Sequence, residues 1–249
     1  TVCGNGGDWE TLEEAGAMTA DLVVAATGSD EVNMLCGYMA RRSGAAYTVA
    51  RVRNPEYNDR SLSNMRQYLE LSAAINPDKL AAMELFNILR LPAAAKVESF
   101  SARKFEMIEL KVKADSKLAG LPLSEARNRF KARFLICVVQ RSGQVFIPDG
   151  HFVLQGGDKI GLTAKHNEMQ KLIKALGLAK KQAREVMLLG GSRIAYYLAK
   201  MLLNAGVSVK IIDKDRAVCE QICELLPGAT VICGDGAQQE VLLEEGLEN

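Results

Sequence analysis

Short apolar runs alternate with amphipathic stretches over the last quarter of the chain. Residues 186–189 are apolar and lead into two glycines, and an amphipathic stretch at 193–203 follows. A second, mostly apolar run at 207–213, an amphipathic stretch at 214–226 and a third run at 230–233 complete the series. Continuous apolar runs alternating with helical patterns are typical of buried parallel strands joined by helices. We therefore predict half of a Rossmann-like, doubly wound α/β unit here.

The opening part of the chain carries the same pattern. The apolar run at 21–27 and the β-branched, partly apolar run at 47–53 predict two more parallel strands. Pro77 and Pro92 delimit a long amphipathic segment, because proline is tolerated at the first turn of a helix and excluded from its interior. The predicted helices cover about residues 8–15, 31–43, a stretch ending near 69, and 78–91.

The pattern between 97 and 177 differs, with alternating strands and turns at Ser142-Gly143 and 148–150. It predicts a small α+β domain with a helix at about 166–176. The predicted organisation is 1–76, the second half of a first Rossmann unit; 77–96, a helix and linker; 97–177, the α+β domain; 178–184, a polar linker; and 185–249, the first half of a second Rossmann unit.

A repeat explains why the two Rossmann units are halves. At a constant offset of 230 residues, seven positions within 2–16 are identical to their counterparts in 232–246. The identical pairs are Cys3/Cys233, Gly4/Gly234, Gly6/Gly236, Glu10/Glu240, Leu12/Leu242, Glu14/Glu244 and Gly16/Gly246. We interpret the chain as a piece of a tandem-repeat protein. A circular permutation, in which both halves complete one domain, is the alternative.

Composition restricts the class of protein. Hydrophobic residues make up 48% of the chain and the net charge is +1, so no overall field would attract nucleic acid or anionic lipid. The longest apolar runs are far shorter than the roughly 20 residues of a membrane span. The six cysteines and two histidines do not cluster, so we predict reduced thiols and no metal site.

The most specific motif is a glycine frame at 190–195. It has the form G-x-G-x-x-G/A, with Ser192 in place of the middle glycine and Ala195 at the last position. Such a turn lets a phosphate approach a helix N-terminus, although a serine side chain would crowd that approach. Asp213 follows at the end of the next predicted strand, where a carboxylate binds ribose hydroxyls and disfavours the 2′-phosphate of NADP. The candidate nucleotide-binding residues here are Gly190, Gly191, Ser192, Arg193, Ile194, Asp213 and Lys214.

The first half unit lacks a glycine turn but keeps the opposite wall of such a cleft. Arg51 and Arg53 alternate on one predicted strand and could meet a phosphate. The candidate residues are Gly4, Asn5, Ala26, Thr27, Arg51 and Arg53. No Ser-His-Asp set or other catalytic constellation can be assembled, and His151 and His166 are predicted to be surface residues. We therefore predict a binding protein and no enzyme.

Taken together, these residues resemble the RCK/KTN family and, within it, the TrkA-type regulatory subunits of Trk potassium uptake. The matching stretches are 23–34, 49–57, 186–195 and 231–235, with 121–123, 148–150 and 157–158 resembling the RCK C-terminal domain. The resemblance implies RCK N-terminal Rossmann units that bind NAD(H) or ATP/ADP. It also implies homo-dimers or tetramers, located in the cytoplasm and peripheral to the inner face of the membrane, which regulate a potassium-transporter subunit.

The same resemblance implies roles for single residues. Asp213 would bind the ribose, Asp235 would lie near the adenine, Thr27 would line the cleft, and Arg51 with Arg53 would lie near phosphate. The helix at 78–91 would be the family's crossover helix. Two alternative interpretations are an NAD-dependent oxidoreductase and the soluble tail of a cation channel or antiporter.

Overall fold

The computed structural model describes residues 1–57, 59–90, 96–100, 105–178 and 183–246. It divides into two compact units. Unit 1 comprises Thr1–Glu84 together with Glu185–Asn249, and unit 2 comprises Leu85–Arg184. The predicted linkers at 77–96 and 178–184 lie partly outside the described residues.

Helices and strands are numbered in chain order. The helices are α1 Trp9–Glu14, α2 Asp30–Ser43, α3 Asp59–Tyr68, α4 Pro77–Arg90, α5 Leu123–Phe130, α6 His166–Ala175, α7 Arg193–Asn204, α8 Arg216–Leu225 and α9 Gln239–Glu244. The strands are β1 Leu22–Ala25, β2 Tyr47–Arg51, β3 Ala73–Ile75, β4 Lys96–Phe100, β5 Phe105–Lys111, β6 Phe134–Arg141, β7 Gln144–Phe146, β8 Lys159–Lys165, β9 Glu185–Leu189, β10 Ser208–Asp213 and β11 Thr230–Cys233. Among the described residues, no helix combines the length and the apolar character that a membrane crossing requires.

Unit 1 contains two three-stranded parallel sheets, in the orders β1-β2-β3 and β11-β10-β9. Helices bury the central strands, so Ala50, Ile211 and Ile212 have almost no exposed surface. This confirms the predicted Rossmann-like half units. Strand β3 was not predicted, because Ala73–Ile75 is short and rich in alanine, which gives little strand signal.

The two parallel sheets are separate. In a Rossmann sheet with strand order 3-2-1-4-5-6, a circular permutation would place β1 directly beside β9. Among the described residues no strand pairing joins them. The side chains of Leu22 and Val24 in β1 and of Leu189 in β9 are correspondingly exposed.

The sequence repeat is also a structural repeat. Helices α1 and α9 lie 230 residues apart at both ends. In each copy a side-chain oxygen accepts a backbone N–H two residues later, from Gly7 to Asn5 at 3.0 Å and from Ala237 to Asp235 at 2.9 Å. Each helix is followed by a glycine with positive φ, Gly16 and Gly246. One local sequence therefore folds twice into the same turn and helix.

A polar contact connects the two halves within unit 1. The Asn76 side-chain oxygen accepts the Lys79 N–H at 2.9 Å at the start of α4. Its Nδ2 donates to the Tyr197 hydroxyl at 2.9 Å, and Tyr197 is buried in α7. One amide therefore caps α4 and holds the helix that follows the glycine turn.

Unit 2 is built on a five-stranded antiparallel sheet in the order β4-β5-β8-β6-β7. Ser142 and Gly143 both have positive φ and form the two-residue turn between β6 and β7. Fully buried side chains form the core, among them Ile108, Leu154, Ile160, Leu162, Met169 and Leu172. The predicted α+β domain is confirmed.

A buried ion pair connects β6 to the loop before β8. Asp158 is 1% exposed and accepts from Arg141 Nε at 2.8 Å and from Arg141 Nη2 at 2.7 Å. The Gln155 N–H donates to the same carboxylate at 2.8 Å, and the guanidinium lies over the Phe152 ring. The Arg141 hydrogen bonds hold the pKa of Asp158 below its ordinary value. The carboxylate is therefore paired at both oxygens.

We expect Arg141→Met to lower the free energy of unfolding by about 3–5 kcal/mol, because it leaves a buried carboxylate without its cation. Asp158→Asn should cost less, because the Arg141 side chain is 28% exposed and can turn towards water. Arg216→Met is the matched control, since it breaks an exposed Arg216–Glu220 pair that contributes no more than about 1 kcal/mol. Urea unfolding followed by circular dichroism measures all three, and equal losses in the three variants would contradict this assignment.

The same pair gives a pH dependence. Since folding lowers the pKa of Asp158, its stabilisation is complete above the unfolded-state pKa of about 3.9 and is lost as the pH falls through the folded-state pKa. We expect wild type and Asp158→Asn to differ most in unfolding midpoint above about pH 5 and to converge in acid. A difference that stays constant into acid would show that the carboxylate charge is irrelevant.

Candidate functional site

The glycine turn after β9 forms one side of the candidate site. Gly190 has a φ of +95°, a conformation that residues with a Cβ rarely adopt, and its N–H donates to the Ile212 carbonyl at 2.8 Å. Helix α7 begins at Arg193, immediately after the turn. The first N–H groups of a helix lack partners within it and, with the helix dipole, favour an anion. The start of α7, and not the glycine N–H groups, therefore offers donors to a phosphate at the carboxyl edge of the sheet.

Asp213 faces this turn from the end of β10. Its Oδ2 accepts the Gly191 N–H at 2.6 Å, and its Oδ1 accepts the Asp215 N–H at 2.8 Å. These backbone hydrogen bonds, that of Gly191 first, lower the pKa of Asp213 below its ordinary value. The carboxylate is therefore ionised at neutral pH and keeps lone pairs to accept further hydrogen bonds.

Gly191 is constrained by its neighbours. A Cβ at this position would lie 2.4 Å from Ile222 Cδ1, 2.5 Å from Val218 Cγ1 and 3.4 Å from Asp213 Oδ2. A Cβ here would force the Ile222 and Val218 side chains of α8 to shift. Close packing therefore favours glycine at this position.

Ser192 has a structural role that the sequence analysis did not identify. Its hydroxyl accepts the Ala195 N–H at 3.2 Å, which makes Ser192 the N-cap of α7. Ala195 itself is buried, as a small residue at this position of the frame should be. The preference of serine for N-cap positions was the available signal. The hydroxyl is thus directed to the helix, and Arg193 beside it is exposed.

The remaining candidates of the second copy surround the same edge. Because β9, β10 and β11 are parallel, Gly190, Asp213 and the loop containing Asp235 all follow the carboxyl ends of their strands. Lys214 and Asp235 are exposed, and Ile194 is half-buried. Asp235 Oδ1 is held by the Ala237 N–H, so its orientation is set by its own turn.

In the first copy, Thr27 and Arg51 are brought together. Arg51 Nη2 donates to the Thr27 carbonyl at 2.7 Å. Asn33, which has no exposed surface, accepts the Thr27 N–H at 2.6 Å and donates to the Arg51 carbonyl at 2.9 Å. One buried amide therefore joins the ends of β1 and β2, a role that a lone polar residue inside a helical pattern does not reveal.

Arg53 is held differently from Arg51. Its backbone N–H and that of Asn54 donate to Asp30 Oδ2 at 2.8 and 2.7 Å. Arg53 lies beyond the end of β2, so it does not alternate with Arg51 on one strand as predicted. The difference arises because the Asp30 carboxylate replaces strand pairing for these two N–H groups.

The loop containing Gly4 and Asn5 approaches the same region. A Cβ on Gly6 would lie 3.9 Å from Thr27 Cγ2, which places this loop beside the end of β1. Asn5 and Ala26 are exposed. A Cβ on Gly4 would meet the Thr11 side chain at 2.5 Å, so Gly4 is packed against α1.

A basic groove lies in unit 2. It has a volume of about 1030 Å³ and lies between the end of α5, the start of β6 and α6. Its charged lining residues are Arg127, Lys131, Arg133, Lys165, Glu168 and Lys171.

The described residues contain no group of three or more His, Cys, Asp or Glu side chains that could hold a metal ion. His151 is exposed, and the side chain of His166 lies outside what the structure describes.

Both units match known domain families. The TrkA-N domain matches residues 1–77 and 186–249, and the TrkA-C domain matches residues 107–177. The Trk system potassium uptake protein TrkA homolog of Archaeoglobus fulgidus is 34% identical over 99% of this chain and 55% of its own length. TrkA of Vibrio alginolyticus is 30% identical over 99% of this chain and 54% of its own. The chain spans about half the length of these relatives.

Solved structures share the fold. The GsuK channel has a TM-score of 0.64 at 19% identity, covering 98% of this chain and 42% of the channel. The GsuK channel bound to NAD gives a TM-score of 0.63 at 18% identity, with the same coverage. At this identity the likeness establishes the fold alone.

We expect Asn33→Ala to lower the free energy of unfolding by about 1–3 kcal/mol, because the Thr27 N–H after β1 and the Arg51 carbonyl at the end of β2 lose a part-buried partner. Asn64→Ala in α3 is the matched control, since Asn64 is exposed and alanine favours a helix. Thermal unfolding of the two variants provides the comparison. Equal midpoints would show that the Asn33 network adds nothing to stability.

Proposed function

Since this chain belongs to the family of proteins built from TrkA-N and TrkA-C domains, we propose that it is a nucleotide-sensing regulatory part of a potassium-uptake system. In this proposal an adenine nucleotide binds at the carboxyl edge of the β11-β10-β9 sheet. Binding is passed to a membrane potassium transporter, on whose cytoplasmic side the protein assembles as a homo-dimer or tetramer. The names of the relatives support the potassium-uptake part of the proposal.

The observation that carries the nucleotide part is the contact between Asp213 and the glycine turn. An ionised carboxylate lies 2.6 Å from the Gly191 nitrogen, directly beside the N-terminus of α7. Ribose hydroxyls can donate to the carboxylate while phosphate oxygens accept from the helix N-terminus. Asp235, on the adjacent loop, would lie on the adenine side.

The charge of the site narrows the choice of ligand. Because the pKa of Asp213 is lowered, its negative charge would repel the 2′-phosphate of NADP. NAD(H), ATP and ADP lack that group, and one related channel structure is described as bound to NAD. In the first copy, Thr27 and Arg51 would supply the opposite wall of an equivalent cleft, with Arg53, Gly4, Asn5 and Ala26 around it.

Regulation requires that the nucleotide bind one arrangement of the units better than another, since a ligand shifts an equilibrium by its differential affinity. A difference of about 1–3 kcal/mol is the usual size of allosteric coupling. The Asn76–Tyr197 contact would transmit the effect of nucleotide binding to α4, because it joins the helix after the glycine turn to the start of α4. No residue of the site has a catalytic role in this proposal.

We expect Asp213→Asn to weaken binding of NAD⁺, NADH, ADP or ATP by about 10- to 100-fold, because a hydrogen bond to a charged group contributes about 1.5–3 kcal/mol. Isothermal titration of the full chain with each nucleotide measures this. Glu220→Gln is the control, because Glu220 is an exposed carboxylate on the neighbouring helix.

The outcomes distinguish the proposed nucleotide sensor from an NAD-dependent oxidoreductase. NADP⁺ should bind wild type more weakly than NAD⁺ does, and Asp213→Asn should reduce that preference. If none of the four nucleotides binds, or if Asp213→Asn binds as tightly as wild type, the proposed site is wrong. Oxidation of NADH by the chain with a hydride acceptor would instead indicate an oxidoreductase.

A further inference from the structure

We propose that Cys219 and Cys233 are a redox pair, which a peroxide oxidises to an intramolecular disulfide at the edge of the candidate nucleotide site. Cys219 lies in α8 and Cys233 ends β11, and both residues lie beside the end of β10, which carries Asp213. The part of the inference that concerns nucleotide affinity rests on the proposed function, whereas the disulfide itself does not.

The two thiols meet at the end of the β10-β11 ladder. Cys219 Sγ lies 3.3 Å from the Asp213 carbonyl oxygen and 3.8 Å from that of Ile232, the residue before Cys233. Asp213 and Cys233 are partners in the parallel register, so their Cα atoms are about 5 Å apart. The buried sulfur of Cys219 therefore sits over the rung on which Cys233 lies.

A two-step oxidation needs one thiol that the oxidant can reach and a second thiol close to it, and the exposure of the two cysteines differs in this way. Cys233 is exposed, whereas Cys219 is 6% exposed in the first turn of α8. Burial, and then the hydrogen bond with the Cys233 thiol, raise the pKa of Cys219. Cys233 is thus the thiol that an oxidant reaches, and Cys219 is the neighbour that resolves it.

The chemistry balances with hydrogen peroxide as oxidant. The Cys233 thiolate attacks one peroxide oxygen, an S–O bond forms, the O–O bond breaks, and the released hydroxide takes up the thiol proton as water. Cys219 sulfur then attacks the sulfenic sulfur, an S–S bond forms and the S–O bond breaks. The leaving hydroxide takes the Cys219 proton as a second water. Two thiols and one peroxide give one disulfide and two waters.

Oxidation would alter the residue that the proposed nucleotide site depends on. In the reduced state the Cys219 thiol donates to the Asp213 carbonyl, which also accepts the Gly234 N–H at 2.9 Å. A disulfide removes the thiol proton and draws the Cys219 sulfur towards Cys233. The end of β10 loses one donor and Asp213 changes position, so nucleotide affinity falls.

The experiment uses the full chain, treated with hydrogen peroxide, alkylated and digested after glutamate. Cleavage at Glu220 and Glu224 puts Cys219, Cys223 and Cys233 on three separate peptides, so mass spectrometry identifies the pair. We expect a Cys219–Cys233 cross-link that dithiothreitol reverses. The cross-link should persist in Cys223→Ser, which is the matched control on the same helix, and should be absent in Cys233→Ser.

Titration with NAD⁺ and ATP completes the test. We expect the oxidised chain to bind about tenfold more weakly than the reduced chain, and oxidised Cys233→Ser to bind as its reduced form does. A cross-link through Cys223, or Cys233 oxidised beyond sulfenic acid without a cross-link, overturns the assignment. Equal affinities of both redox states overturn the coupling to the site. Failure of the reduced chain to bind refutes the proposed function and leaves the disulfide standing.

Discussion

The hydrogen bond from the Gly191 N–H to Asp213 organises the second half unit. It joins residues 22 positions apart and fixes the end of β10 against the turn that begins α7. The turn can come this close because Gly190 adopts a positive φ and Gly191 has no Cβ to displace α8. A carboxylate held by backbone donors stays ionised, so one contact sets both the shape and the charge of this edge.

In the first half unit, different groups connect the ends of two adjacent parallel strands. Where the second copy uses a carboxylate on a glycine turn, the first uses the buried amide of Asn33 to join Thr27 to Arg51. Both devices act at the carboxyl ends of adjacent parallel strands, where the ladder stops and backbone groups need partners. The ends of parallel strands are also where α/β sheets bind ligands. The residues that satisfy the backbone are therefore also those that would shape the proposed cleft.

The sequence predicted those features that arise from local pattern. Apolar runs such as 207–213 identify buried parallel strands, and the repeat between 2–16 and 232–246 identifies two copies that fold alike. The three-residue β3 was missed, because it forms only through pairing with β2. The roles of Asn33 and Asp30 were missed for a similar reason. Their partners, Arg51 and Arg53, lie 18 and 23 residues away, and no local pattern encodes such contacts.

The end of β10 shows how a small region can combine several roles. The Asp213 carboxylate accepts from Gly191 in the glycine turn and from Asp215, the N-cap of α8, and its carbonyl oxygen accepts from Gly234, which follows β11, and from Cys219. A ligand on the carboxylate and a change at the thiol would therefore act on the same residue from opposite sides. Because the two effects share one backbone position, they are expected to be coupled, and coupling through a shared group is reciprocal. A bound nucleotide that fixes Asp213 should in turn disfavour the Cys219–Cys233 disulfide.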